Sequence, residues 1–315
     1  MNSFLTNVVL ATDGLEESDL AAWVAVDLCD RTGADLHVVH AWQNAPTALS
    51  APVTALRSEL PGEEAAGLLE GQVERIRAGG GTVKGAHLKK GPAAEEIVAL
   101  AGELDADLVV MGTRGTGAME RLMLGSVSEE VARISPCPTL VVRGEWPPRN
   151  VVVGDDLSEE ARRAGELAAR IGVQFGASAL LVLGFPSPAA YNHAEAYALA
   201  SRVRVSEYMF GEGGEILRER AVRLETLLGK RPSIKVLAGD AATTIREAAG
   251  EREGPTLVAV GCRGLGALRR FALGSVSADV LRDARGPVIV FPSSADDEPP
   301  TGGQKAREAR ALPGG

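Results

Sequence analysis

Short apolar runs alternate with segments of helical periodicity along most of the chain. Val8-Val9-Leu10-Ala11-Thr12 is one such run, and an Ala- and Leu-rich segment follows it to about Arg31, before Gly33. Runs of this length are typical of buried strands, and apolar residues three or four positions apart predict helices. We expect five strands in the first half, at residues 8–12, 35–42, 83–88, 107–111 and 139–143. The helices between them are expected at about 16–31, 63–78, from 93 onward, and 127–134.

The same order of elements returns in the second half. Strands are expected at residues 151–154, 179–184, 233–238, 256–260 and 287–291, and a helix at 159–171 that stops at Gly172. Strands that alternate with helices predict parallel sheets covered on both faces. The predicted fold is α/β, with two tandem copies of a doubly wound, parallel, five-stranded sheet and helices on both faces. We place one domain at 1–145, a second at 146–292 and a disordered tail at 293–315, where Pro, Gly and charged residues lack periodicity.

A glycine-rich motif follows the fourth strand of each half. Gly112-Thr113-Arg114-Gly115 is separated by nine residues from Gly125-Ser126, and the same spacing joins Gly261-Cys262-Arg263-Gly264 to Gly274-Ser275. Residues 112–131 and 261–280 are identical at twelve of twenty positions. This similarity indicates an internal duplication, which fixes the two-domain organisation.

The position of the motif favours an anionic ligand. Glycines let backbone N–H groups approach a phosphate, and the start of a helix offers unpaired N–H donors. Ligands of doubly wound sheets bind beyond the carboxyl ends of the strands, where the strand order reverses. The first strand leads to Asp13 and the fourth to Gly112, so both are expected at that place. The motif is neither a Walker A loop nor G-x-G-x-x-G.

Structural alternatives exist for each of these features. Gly112 and Gly115 could form only a tight turn, and Asp13 could be only a helix cap. Ser126 and Glu129 fit a capping box, although the second half has Ala278 in place of Glu129. The charge run from Glu215 to Arg223 is interpreted as a solvated helix face, and His40 as a buried, hydrogen-bonded histidine.

Composition excludes several function classes. The chain has 315 residues and a formal net charge of −9, which argues against nucleic acid and against an anionic membrane surface as partners. The three cysteines, Cys29, Cys137 and Cys262, form no C-x-x-C pair, so neither a disulfide framework nor a metal site is expected. The first residues do not resemble a signal peptide, and no apolar run is long enough to span a membrane. A cytoplasmic location is expected.

The doubled motif resembles the ATP-binding signature of the universal stress protein family. The resemblance extends over residues 4–143 and 150–292, and it includes Asp13 and Asp156 after the first strand of each half. It implies an adenine-nucleotide α-hydrolase-like fold in each copy. Pro92, which stands where the second half has Asp240, and the long insertion at 186–214 are departures from the pattern.

The resemblance also implies roles for particular residues. Asp13 and Asp156 would lie near the adenosine with Ala11 and Gly154, and Ala41 and Phe185 would offer backbone groups to the adenine edge. The glycine loops would enclose the ribose and the inner phosphates, and Arg114 and Arg263 would pair with phosphate. The following Gly-Ser-Val segments would hold the distal phosphates. The loop and segment residues are Gly112, Gly115, Gly117, Ala118, Gly125, Ser126 and Val127, and then Gly261, Gly264, Gly266, Ala267, Gly274, Ser275 and Val276.

The leading interpretation is an ATP-binding regulatory stress-response protein, not an enzyme, with a nucleotide site in each half and ATP bound with Mg²⁺. No catalytic residues are assigned, because no histidine accompanies the glycine motif. A slow ATPase or ATP-dependent enzyme that uses the same pockets is the alternative, and a nucleotide-free interaction module is a third. The final strands, 139–143 and 287–291, could pair the halves into an internal pseudo-dimer, and a homodimer is also open.

Overall fold

The first half folds into five strands and four helices. The computed structural model describes residues 4–43, 62–113, 124–185, 211–262 and 273–293. The elements are β1 (Asn7–Ala11), α1 (Asp19–Thr32), β2 (Asp35–Trp42), α2 (Gly62–Ala78), β3 (Gly85–Lys90), α3 (Ala93–Glu103), β4 (Leu108–Gly112), α4 (Ser126–Ile134) and β5 (Thr139–Val142).

The second half repeats this order. Its elements are β6 (Asn150–Gly154), α5 (Glu159–Val173), β7 (Ser178–Phe185), α6 (Glu212–Leu228), β8 (Ser233–Ala238), α7 (Ala241–Gly250), β9 (Thr256–Gly261), α8 (Ser275–Asp283) and β10 (Val288–Phe291). None of the helices in the described ranges is both long enough and apolar enough to cross a membrane.

All ten strands form one sheet, in the order β3-β2-β1-β4-β5-β10-β9-β6-β7-β8. Neighbouring strands within each half are parallel, which confirms the predicted fold class. The strand order reverses between β1 and β4 in the first half and between β6 and β9 in the second. The predicted pairing of the final strands is also present, because β5 and β10 are antiparallel neighbours, with Val288 opposite Val141.

Helices cover the sheet on both faces, and successive strand residues therefore enter two different cores. Val8, Leu10 and Val110 pack with α1 and α2, whereas Val9 and Val109 pack with α3 and α4. These strand residues are fully buried. Burial on both faces explains why the central strands are continuous apolar runs instead of alternating ones.

The end of one helix and both ends of one strand differ from the prediction, for identifiable reasons. Helix α5 continues through Gly172 to Val173. Gly172 serves close packing and not helix termination, because it lies against β6, where an added Cβ would be 2.8 Å from Val151 Cγ2. Strand β3 begins and ends two residues later than predicted. It is the outer strand of the sheet, and its exposed and half-buried residues obscure the apolar pattern.

Side chains of the linker between β5 and β6, residues 143–149, join the two halves. The Arg143 guanidinium, which follows β5, donates to the carbonyls of Leu281 (2.6 Å), Arg282 and Ala284 (both 3.1 Å) at the end of α8. Trp146 Nε1 donates to Asp27 Oδ2 in α1 at 2.8 Å. The linker is therefore bound to helices of both halves.

Candidate functional site

The reversal of strand order brings together the described residues that follow the first and fourth strands of each half. Ala11 ends β1 and lies beside Met111 of β4, so Asp13 and Gly112 flank the same crevice at the carboxyl ends of these strands. Gly154 ends β6 and lies beside Val260 of β9, which brings Asp156 near Gly261 in the same way. This is where doubly wound sheets bind ligands.

The carboxylate of Asp13 is held at one oxygen and left open at the other. Its Oδ1 accepts from the N–H of Leu15 (3.1 Å) and from the hydroxyl of Ser18 (2.5 Å). Its Oδ2 is buried and has no hydrogen-bond partner within the described part of the chain. Because a buried polar atom normally has a partner, this oxygen is a candidate ligand contact.

Behind Asp13, the loop is held by hydrogen bonds to β2 and α2. The Thr12 hydroxyl bonds Gln72 Oε1 of α2 at 3.0 Å, and both residues are buried. His40 Nδ1 lies 2.9 Å from the carbonyl oxygen of Thr12, so the prediction of a buried, hydrogen-bonded histidine is confirmed. From α2, Arg75 donates to the carbonyl of Gly14 at 2.9 Å.

Both glycine loops are closed at their base. Gly125 N–H donates to the carbonyl of Thr113 at 2.6 Å, and Gly274 N–H donates to that of Cys262 at 2.7 Å. The serine two residues into each following helix binds back to the end of the preceding strand. Ser128 Oγ donates to the Gly112 carbonyl (2.8 Å), and Ser277 Oγ to the Gly261 carbonyl (2.5 Å). The sequence analysis assigned these two serines no role. The fact that serine occurs at this position in both copies of the repeat could have indicated one.

The helices after the loops begin without a side-chain cap. Gly125 and Gly274 are the N-cap residues of α4 and α8, with extended backbone angles. Ser126 and Ser275 are therefore the first helical residues, and the capping-box interpretation of Ser126 is wrong. The first helical N–H groups, which include those of Ser126, Val127, Ser275 and Val276, lie at the start of a helix, where such groups have no intrahelical acceptor.

In the second half, an ion pair holds the loop that follows β6. Asp156 Oδ1 accepts from the N–H (3.0 Å) and the hydroxyl (2.5 Å) of Ser158. Its neighbour Asp155 is buried and forms an ion pair with the buried Arg220 of α6. Arg220 also donates to the carbonyls of Leu157 (2.7 Å) and Ser158 (2.9 Å). The interpretation of residues 215–223 as a solvated face is therefore wrong for Arg220, whose spacing from Leu217 and Leu224 places it on the buried stripe.

Two of the predicted glycines have packing roles. A Cβ on Gly154 would lie 2.3 Å from Ile245 Cδ1, and one on Gly261 would lie 2.9 Å from the backbone nitrogen of Ala161 in α5. At Gly261 the clash would be with backbone, so this strand end requires glycine, whereas a Cβ at Gly154 would displace the Ile245 side chain. In the second half, at least, close packing contributes to the choice of glycine at these positions.

Ala41 and Phe185, the residues predicted at the ends of the second strands, do not occupy equivalent positions. Ala11 pairs with Val39 in β2, and Gly154 pairs with Val182 in β7. In this register Ala41 corresponds to Gly184, and Phe185 corresponds to Trp42. The backbone of Phe185 ends β7 beside Ala238.

Eight of the predicted site residues lie outside the described residues. They are Arg114, Gly115, Gly117, Ala118, Arg263, Gly264, Gly266 and Ala267. Within the described ranges, no group of three or more His, Cys, Asp or Glu side chains could hold a metal ion. Cys29, Cys137 and Cys262 are all buried free thiols. Burial raises the pKa of Cys29 to about 12 and that of Cys137 to about 11.

The model of the universal stress protein family matches the chain twice, at residues 5–143 and 148–292. The chain belongs to this family and carries two copies of its domain. A universal stress protein of Thermus aquaticus is 39% identical over 143 residues, which cover 43% of this chain and 97% of the relative. One from Methanocaldococcus jannaschii is 34% identical over 153 residues, covering 45% of this chain and 89% of the relative.

Solved structures share the fold over both halves. A universal stress protein from Archaeoglobus fulgidus has a TM-score of 0.61 at 22% identity and covers 93% of this chain and 97% of its own. A Pseudomonas aeruginosa protein has a TM-score of 0.61 at 16% identity and covers 92% of this chain and 93% of its own. At these identities the likeness concerns the fold.

Proposed function

We propose that each half of the protein binds ATP with Mg²⁺ in the crevice between its first and fourth strands. The observation that carries this proposal is Asp13 Oδ2, a buried carboxylate oxygen without a partner among the described residues, at the carboxyl end of β1. A ligand donor, such as a ribose hydroxyl or an amino group of the base, would satisfy it. The position at the reversal of strand order supports a nucleotide as that ligand.

The repeat extends the proposal to the second half. The base of its glycine loop is closed by the same two hydrogen bonds, and Asp156 stands where Asp13 stands. The N–H groups at the start of α4 and α8 would bind phosphate oxygens, because a helix N-terminus favours anions. Arg114 and Arg263 would add charge-assisted hydrogen bonds. When bound, Mg²⁺ would neutralise part of the phosphate charge.

We propose a regulatory role for the bound nucleotide and no dedicated catalysis. The chain has only four histidines, and none lies within the glycine motifs at 112–126 and 261–275. A slow ATPase that uses the same pockets is the second candidate, since the motif alone supports nucleotide binding in both cases. The antiparallel joint between β5 and β10 supports the proposal that the chain acts as an internal pseudo-dimer.

Three measurements on the full chain test this function. Mass spectrometry of the denatured protein would detect nucleotide that copurifies, and a nucleotide-free interaction module would show none and would not bind ATP in titrations. Phosphate release in the presence of Mg²⁺ would favour the ATPase. A chain in which both Gly115 and Gly264 are replaced by tryptophan should lose ATP binding at both sites, because the side chains would occupy the space of the phosphates.

The Asp13→Asn variant tests the open oxygen directly. Asparagine keeps the shape and the Oδ1 acceptor used by Leu15 and Ser18, and it replaces Oδ2 by an amide group. Loss of one hydrogen bond to a charged group should lower the affinity of the first site roughly 10- to 150-fold. The matched control is Asp156→Asn, which should affect only the second site. Unchanged ATP affinity in a folded Asp13→Asn protein would refute the assignment.

A further inference from the structure

Two histidines meet on the outer part of the sheet, away from the nucleotide crevice. His37 of β2 and His87 of β3 project from the same face, and His37 Nδ1 lies 3.1 Å from His87 Nε2. Their ring centroids are 5.3 Å apart, with 34° between the ring planes. Both residues are half-buried, near the beginning of their strands, whereas the crevice lies beyond the carboxyl ends.

A glycine makes this meeting possible. Gly85 lies directly opposite His37 in the strand register, two residues before His87. A Cβ at Gly85 would lie 2.8 Å from His37 Nδ1 and 2.7 Å from His87 Nε2. Any other residue at this position would push at least one ring away. The two nitrogens therefore converge because the strand has no side chain between them.

At this distance one imidazole N–H donates a hydrogen bond to the other ring nitrogen, and a cation that replaces this proton would be bound by both nitrogens. Nitrogens that bind one Zn²⁺ at about 2.0–2.1 Å with a tetrahedral angle lie about 3.3–3.4 Å apart. The observed 3.1 Å differs by a few tenths of an ångström, which a small ring rotation supplies. Imidazole suits Zn²⁺, Ni²⁺ and Cu²⁺. We propose that His37 and His87 together bind one divalent transition-metal ion, independently of the nucleotide sites.

Burial favours the neutral form of both imidazoles, which is the form that binds a metal. Burial is the main cause that lowers the pKa of both histidines; Lys84 lowers that of His37 further, and His37 and Lys89 lower that of His87. Asp35 and Glu103 act in the opposite direction. These carboxylates are bound by lysines, Asp35 by Lys84 at 3.4 Å and Glu103 by Lys89 at 2.9 Å. No third ligand of the His, Cys, Asp or Glu type converges in the described ranges, so water would complete the coordination.

The second half provides an internal control. Leu180 lies opposite Ser233 in β7 and β8, just as His37 lies opposite Gly85. In that register Leu180 replaces His37, and Lys235 replaces His87. An apolar side chain and an ammonium group cannot bind a cation, so we expect no equivalent of this site in the second half.

Titration of the full, nucleotide-free chain with Zn²⁺ at pH 7.5, followed by calorimetry, tests the site. We expect one equivalent to bind to the wild type and to His193→Gln, a control outside the described residues. His37→Gln and His87→Gln should abolish this binding. Gly85→Ala keeps both imidazoles but separates them, and it should lower the affinity about tenfold or more.

A spectroscopic measurement does not depend on the variants. Electron paramagnetic resonance of one added equivalent of Cu²⁺ should show coordination by two imidazole nitrogens in the wild type. Circular dichroism would first establish that each variant is folded. Absence of saturable one-to-one binding to the wild type, or equal affinity in either glutamine variant, would overturn the proposal. Unchanged affinity in Gly85→Ala would overturn the claim that this glycine creates the site.

Discussion

Arg220 forms an ion pair with Asp155 at the position where the first half of the chain bonds Gln72 to Thr12. All four residues are buried, and both pairs join the loop after the first strand to the second long helix of the half. The turns they hold have the same left-handed backbone, at Leu157 (φ 69°) and Gly14 (φ 79°). At this buried position, one copy of the repeat has an ion pair and the other has a neutral hydrogen bond.

The contrast gives a prediction with its own control. Arg220→Gln should destabilise the protein by about 3–5 kcal/mol, because it leaves the Asp155 carboxylate buried without its partner. The double variant Asp155→Thr/Arg220→Gln, which copies the first half, should recover most of this loss. Urea unfolding measures the three free energies. A double variant that is no more stable than Arg220→Gln would show that the two copies are not interchangeable here.

Arg143 should contribute to stability across the joint between the halves. Its guanidinium donates hydrogen bonds to three carbonyls at the end of α8. A positive charge at a helix C-terminus also interacts favourably with the helix dipole. Arg143→Ala should lower the free energy of unfolding by about 1–3 kcal/mol. Arg143→Lys should recover only part of the lost free energy of unfolding, because an ammonium group lacks the planar set of donors. Full recovery by lysine would show that the positive charge, and not the guanidinium geometry, gives the stabilisation.

Stability should depend on pH through His37 and His87. Because their pKa values are lowered in the folded protein, the unfolded chain binds protons first as the pH falls through the usual histidine value of about 6.5. The contribution of the neutral pair is therefore present above that pH and is lost below it. The free energy of unfolding between pH 7.5 and 5 should fall less steeply in the double variant His37→Gln/His87→Gln. Parallel curves would contradict this.

The second nucleotide site should be the more salt-sensitive one. The net charge within the glycine motif is +1 in the first half and +3 in the second. The charged residues are Arg114, Glu120 and Arg121, and then Arg263, Arg269 and Arg270. Salt at 0.1 M screens over about 10 Å and would weaken the extra attraction for phosphate. ATP titrations at low and high salt, on chains blocked by Gly115→Trp or Gly264→Trp, compare the sites, and equal salt slopes would refute the idea.

Hydrophobic periodicity and the internal repeat were sufficient to predict the fold. Both are local sequence patterns, and each pattern occurs in both halves of the chain. The contacts that support the site were harder to predict. Arg220 looked like part of a charged surface, and its partner Asp155 lies 65 positions away, so only the folded chain brings them together. Gly172 looked like a helix end, yet it serves close packing against Val151. Such pairings arise from tertiary structure and have no local signal.

The antiparallel joint between β5 and β10 turns the second half end over end relative to the first. The carboxyl ends of β1 and β4 therefore point in the opposite direction to those of β6 and β9. The two crevices are four strand spacings apart across the sheet, about 19 Å, and open at opposite rims. A small partner seated on one rim would contact a single crevice, whereas the pairing of β5 with β10 connects the two crevices within the sheet.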